Sequence, residues 1–154
     1  MKTLKIILAV VISVLNYSCS KTDMEVVNPY YVSCKINGAV YKIVGETGAF
    51  ATLKTADTYW IYGNEAITGK EMYVRIELSK GLGTFTMKGL TQASFLDADK
   101  TSYHTNFNSG TGEVTLSEQT ASTLKGKFSF TANTFSSPIK KAVVTEGEFF
   151  VPIK

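Results

Sequence analysis

The chain has 154 residues, 44% of them hydrophobic and 12% aromatic, with a formal charge of +3. That length accommodates one domain with an ordinary core, at roughly 100–150 residues per domain. Arg75 is the sole arginine and Lys140-Lys141 the longest basic run, so the concentrated cationic face that a nucleic-acid partner requires is excluded.

The chain opens with Lys2 and Lys5, an almost unbroken apolar run from Ile6 to Leu15, and then Asn16-Tyr17-Ser18-Cys19. An apolar core of about ten residues suits a cleaved signal and falls well short of the ~18 needed to cross a bilayer. Residues 1–18 therefore read as a lipoprotein signal peptide, with Cys19 as the acylated first residue of the mature protein. Asn16 and Tyr17 depart from the usual aliphatic and small residues there, but no A-x-A-like alternative lies nearby. Fatty acyl chains such as palmitate contribute about 0.8 kcal/mol per buried methylene, and a second chain makes attachment effectively permanent. Residues 19–29 form the acylated Cys and a linker. Within it, Ser20-Lys21-Thr22-Asp23-Met24-Glu25 resembles the export tag of Bacteroidota lipoproteins displayed at the cell surface, although Met24 splits its acids. The expectation is an outer-membrane protein moored at Cys19; the run after it reads either as a tag for cell-surface display or as a plain solvated linker. With Lys2 and Lys5 removed, the mature chain is near neutral.

From residue 30 to 154 the dominant period is two, and a single all-β domain is expected. Val32, Cys34 and Ile36 alternate with Tyr31, Ser33 and Lys35 ahead of Asn37-Gly38, the strongest short hairpin signal. Pairing across that turn sets Ile36 opposite Ala39, Cys34 opposite Tyr41 and Val32 opposite Ile43, all on one face. Strands are expected over 48–54, 58–62, 72–78, 84–88, 102–107, 112–117, 125–132, 142–145 and 148–151. The stretch 90–100 reads instead as a short turn around Ser94-Phe95-Leu96. About 9–11 short strands in one domain predict an antiparallel β-sandwich or flattened β-barrel, because an open sheet of that size exposes long edges.

Gly126-Lys127-Phe128-Ser129-Phe130-Thr131-Ala132, a short loop, and Gly147-Glu148-Phe149 follow the pattern G-x-F-x-F-x-A…G-x-F. In this the chain resembles a family of uncharacterised Bacteroidota outer-membrane lipoproteins. Cys34-Lys35-Ile36-Asn37-Gly38 is similar to that family's opening hairpin, and Gly83-Thr84-Phe85-Thr86 to its central strand. The resemblance implies fold and location and carries over no functional residue. By spacing alone, Gly126 and Gly147 start strands after turns, and Phe128, Phe130 and Phe149 point inward.

Chemistry is sparse. Acylation of Cys19 leaves Cys34 without a disulfide partner, and with no histidine near it in sequence it reads as a small buried residue rather than a nucleophile. His104, the sole histidine, has no second soft ligand at metal spacing and is expected on the outer face of a strand, so no metal is expected. Asp97-Ala98-Asp99 resembles alternating calcium ligands, but the pattern breaks at Lys100 and Ser102, which favours a solvated turn. No G-x-S-x-G elbow appears. Glu65, Glu71, Glu77, Asp97 and Asp99 are the acids that a glycosidase pair would draw on.

The feature left over is Tyr59-Trp60-Ile61-Tyr62. Alternation puts Trp60 and Tyr62 on one strand face, and this pair is the candidate ligand-binding site, through stacking on sugars. The other expectation for the same face is a cross-strand aromatic ladder. The chain is thus expected to be a non-enzymatic binding or accessory module for a glycan, small ligand or protein, without a cofactor. The alternative is a structural lipoprotein that works through protein contacts alone.

Overall fold

A computed structural model describes residues 28–55, 58–77, 81–107 and 109–154. The expected signal peptide, Cys19 and the linker through residue 27 lie outside the described residues. Within them the secondary structure is all β. The chain forms β1 (Tyr31–Ile36), β2 (Ala39–Val44), β3 (Ala49–Thr55), β4 (Thr58–Glu65), β5 (Lys70–Glu77), β6 (Gly83–Thr86), β7 (Gln92–Leu96), β8 (Ser102–His104), β9 (Thr111–Gln119), β10 (Thr123–Asn133) and β11 (Lys141–Pro152).

The first hairpin has the expected register: Val32 pairs with Ile43, Cys34 with Tyr41 and Ile36 with Ala39. Its turn sets Asn37 at φ 49° and Gly38 at φ 85°, the left-handed pair that a two-residue hairpin turn demands. Alternation then buries Val32, Cys34, Tyr41 and Ile43.

All eleven strands belong to one antiparallel sheet that forks at β10. Residues 124–131 of β10 pair with β9, whereas Asn133 pairs with His104 of β8. One leaf therefore runs β2-β1-β11-β10-β9-β6, and the other runs β8-β7-β5-β4-β3. The leaves fold over one another so that β4 meets β1 and β2, and β7 meets β10. The Tyr41 hydroxyl crosses the core to donate to the Gly63 carbonyl. At the far side a parallel bridge joins Ala51 to Ile153, and the Lys154 N–H donates to the Ala51 carbonyl at 2.8 Å. The result is a flattened barrel with a filled interior. Ile61, Met72, Val74, Ile76, Val114, Leu116, Leu124, Phe149 and Val151 are all fully buried in one cluster. Each such side chain contributes about 1.5–3 kcal/mol of hydrophobic stabilisation.

Two expectations need correction. The stretch 90–100 holds strand β7 rather than a turn at residues 94–96. Ala93 and Phe95 point into the core beside Val74 and Met72, and pairing on both sides makes the segment extended. The last two expected strands are one, β11, running through Gly147. Its extra residue is absorbed in a bulge at Glu146, which adopts φ 52°. Gly126 and Gly147 accordingly lie inside strands rather than at their starts. They pair crosswise with the aromatics of the same motif: Gly126 opposite Phe149, and Phe128 opposite Gly147. Each ring occupies the space that the facing glycine leaves.

Cys34 is 4% exposed, with its Sγ against Met72 Sδ at 4.0 Å. Burial pushes its thiol up to about 12, so the reactive thiolate is scarce at neutral pH. We expect iodoacetamide at pH 8 to leave the folded protein unmodified at Cys34 and to alkylate it fully in denaturant. Rapid alkylation of the native protein would contradict this burial.

Candidate functional site

The two faces of β4 divide as its alternation predicts. Tyr59 and Ile61 enter the core, whereas Trp60 and Tyr62 lie half-buried on the outside. What surrounds that outer pair follows from strand register. The neighbours of Tyr62 are Phe50 on β3 and Tyr73 on β5. The row continues through Ser94 on β7 to His104 on β8. The adjacent row carries Thr52, Trp60, Arg75 and Gln92. On the other side lie Asn64, Glu71, Leu96 and Ser102. The outer face of the second leaf is thus a patch of rings fringed by hydrogen-bonding groups.

The rings touch. Phe50 and Tyr62 stack at 5.0 Å, Trp60 and Tyr73 at 5.1 Å, and Trp60 and Tyr62 at 6.2 Å. Such pairs add about 0.5–1.5 kcal/mol beyond their burial. Cations sit at two rings. The Arg75 guanidinium lies 5.6 Å from the Trp60 ring, and Lys154 Nζ lies 5.0 Å from that of Phe50. Burial raises the pKa of the Tyr62 phenol; the neighbouring Thr52 hydroxyl offsets part of that rise, and Tyr73 adds to it. At neutral pH the Tyr62 phenol is therefore neutral.

Three buried polar atoms in the described residues lack a well-formed hydrogen bond: Thr52 Oγ1, Asn64 Oδ1 and Arg75 Nε. All three belong to this face. Folded proteins pair the great majority of buried polar atoms, so their concentration around one aromatic patch sets it apart from the rest of the surface.

His104 ends the central row. Its Nε2 lies 2.7 Å from Ser102 Oγ, its ring packs 4.8 Å from Phe107, and partial burial lowers its pKa. Phe107 in turn meets Phe135 at 5.3 Å, and Phe135 is 79% exposed.

The other candidates fall elsewhere. Asp97 organises a turn: its carboxylate accepts from the Thr101 N–H at 2.9 Å, and Lys100 takes φ 62°. Among the described residues no three His, Cys, Asp or Glu side chains gather at metal-binding range. Glu71 and Glu77 stand at opposite ends of β5, about 20 Å apart by strand rise. That exceeds the ~5–9.5 Å between glycosidase carboxylates. The opposite leaf carries a groove of about 570 Å³ lined by Ser33, Glu113, Lys127, Glu146 and Glu148 among others. Ion pairs of Lys35 with Glu146 at 2.8 Å and of Lys127 with Glu148 at 3.2 Å engage much of its charge.

Sequence reasoning found Trp60 and Tyr62 but missed Phe50, Tyr73 and Arg75 as their partners. The signal was present in part, since Tyr73 and Arg75 occupy the outward positions of β5. Only strand order brings them beside Trp60.

The model of a family described as a domain of unknown function, DUF6252, matches residues 29–152. The chain belongs to the DUF6252 family. The match spans β1 through β11, so the aromatic face is a feature of this DUF6252 domain and not of an appended segment. No curated protein and no solved structure matches the chain.

Proposed function

We propose that this protein is a non-enzymatic carbohydrate-binding module, moored to the outer membrane through acyl chains on Cys19, whose outer leaf face of Phe50, Trp60, Tyr62 and Tyr73 holds a glycan. The Bacteroidota lipoprotein resemblance, the signal-like residues 1–18 and the polar run after Cys19 support the location. The single observation that carries the binding role is the contiguous ring patch with polar fringe. Sugar rings present apolar C–H faces and hydroxyl rims, and a row of aromatics fringed by polar side chains complements both. The filled core favours this over an enclosed lipid-type ligand.

The test uses the full chain expressed with its leader and an acyl-free form beginning after residue 19. Cys19→Ser is expected to shift the protein from the membrane to the soluble fraction. The acyl-free form is expected to bind on a glycan array and to leave lipid spots empty. An array blank for glycans would end the carbohydrate reading.

A second reading, an interaction lipoprotein without a small ligand, draws on β2. It is an edge strand of the sheet, with Val40 76% and Val44 56% exposed, and such edges accept strands from other chains. Cross-linking that captures a protein on intact cells, together with a blank array, would favour it.

A further inference from the structure

The geometry points to the class of glycan: an extended acidic polysaccharide, lying across the strands from Phe50 to Phe135 with its carboxylates on Arg75 and Lys154. The inference rests on the carbohydrate reading above and goes beyond it in length and charge.

The length argument begins with the central row. Phe50, Tyr62, Tyr73, Ser94 and His104 line up on β3, β4, β5, β7 and β8, and neighbouring strands are about 4.8 Å apart, giving a track of about 19 Å. Ring contacts carry it on from His104 to Phe107 and Phe135. Ser94 is the one small residue along it, buried between Tyr73 and His104. A mono- or disaccharide would cover only part of such a track, whereas several sugars end to end fill it. Phe135 stands 79% exposed at the end of the track, where its ring meets Phe107 and leaves a face open to a further sugar.

The charge argument begins with Arg75. Its guanidinium stacks near Trp60, and among the described residues no carboxylate lies within ion-pair distance of it or of Lys154. A guanidinium stacked on an aromatic face keeps its rim donors, which match a carboxylate in bidentate fashion. Two unpaired cations on one track of rings complement uronic acids better than neutral sugars.

Isothermal titration separates these points, with galacturonic acid dimers and hexamers as acidic probes and a glucose hexamer as the neutral one. The acidic hexamer is expected to bind at least about tenfold more tightly than either the dimer or the neutral hexamer, a difference of about 1.4 kcal/mol. Phe135→Ala should weaken the acidic hexamer about threefold to tenfold and leave the dimer unchanged. Arg75→Gln should weaken both acidic probes by more than it weakens the neutral hexamer and remove about half of the acidic hexamer's salt dependence. Circular dichroism and melting of each variant exclude misfolding as the cause. Equal affinity for dimer and hexamer, or no effect of Phe135→Ala on the hexamer, would overturn the extended track. Equal affinity for acidic and neutral hexamers would overturn the charge assignment. In either case binding lost on Trp60→Ala would leave the carbohydrate reading standing. Absence of binding to every probe by a folded wild-type protein would overturn both.

Discussion

A Gly126→Val variant is expected not to reach the native fold, and Phe149→Ala to lose about 3–5 kcal/mol. The two changes strike one device from opposite sides. A Cβ on Gly126 would stand 2.1 Å from the Thr115 carbonyl oxygen and 2.5 Å from Phe149 Cζ. At Gly147 the corresponding distances are 2.3 Å to the Phe128 carbonyl oxygen and 2.5 Å to its ring. Ordinary overpacking costs about 1–3 kcal/mol because side chains give way. Here part of the obstruction is backbone, and β10 is held between β9 and β11 for most of its length. The cost should therefore exceed that range and approach the ~5–15 kcal/mol that stabilises a whole domain. A contrast is available at Gly89, where φ is 65° and nothing lies within 4 Å. Gly89→Ala should cost only about 1 kcal/mol, through backbone conformation alone. Thermal and urea unfolding of Gly89→Ala, Phe149→Ala and Gly126→Val should rank them in that order of damage. A Gly126→Val protein melting within a degree or two of wild type would refute the crosswise pairing as the reason for the motif.

Trp60→Ala is expected to weaken glycan retention strongly while the domain stays folded. The ring stacks on Tyr73, contacts Tyr62 and lies under Arg75, so its removal strips the centre of the patch and frees the guanidinium that it orients. Losing two ring contacts of about 0.5–1.5 kcal/mol each, together with a cation contact of about 0.5–1 kcal/mol, predicts roughly 1.5–4 kcal/mol of destabilisation. If the ligand stacks at the same place, affinity should fall by about tenfold to a hundredfold, equivalent to roughly 1.4–2.7 kcal/mol. Ile61→Val is the control from the opposite face of the same strand. Ile61 is 1% exposed, so this change should cost about 0.5–1.5 kcal/mol of stability without altering retention. Affinity electrophoresis in polysaccharide gels, alongside melting curves, reads both effects. Unchanged migration of folded Trp60→Ala would remove the patch from consideration and leave it a cross-strand ladder that serves stability.

How far the residues themselves foretell this architecture depends on the range of the forces involved. The β1–β2 hairpin was readable in full because Asn37-Gly38 imposes a local turn, and one apolar face confirms the register. β7 was missed because Leu90, Ala93, Phe95 and Leu96 include spacings that suit a turn as well as a strand. Pairing with β5 and β8 decides the matter, and that pairing is non-local. The division at Gly147 failed for a different reason. Glycine usually signals a break, but here an aromatic from the next strand replaces its missing side chain and the strand runs on. The site was half legible on the same grounds. Alternation assigned Trp60 and Tyr62 a face, but their neighbours depend on strand order and on Lys154 arriving beside Phe50.

The seam between Ala51 and Ile153 has a consequence for how this molecule moves. Long ladders run within each leaf, whereas the leaves join through the single Asn133–His104 pair between β10 and β8 and, at this seam, through one parallel bridge and one further backbone bond from Lys154. Few hydrogen bonds make a region that opens at low free energy, so the barrel should breathe at these two junctions before the ladders within each leaf yield. Lys154 belongs to both the clasp and the ring patch, since its backbone holds Ala51 while its ammonium covers Phe50. Whatever settles on the rings therefore also bears on the latch, and an occupied surface would keep the two leaves shut.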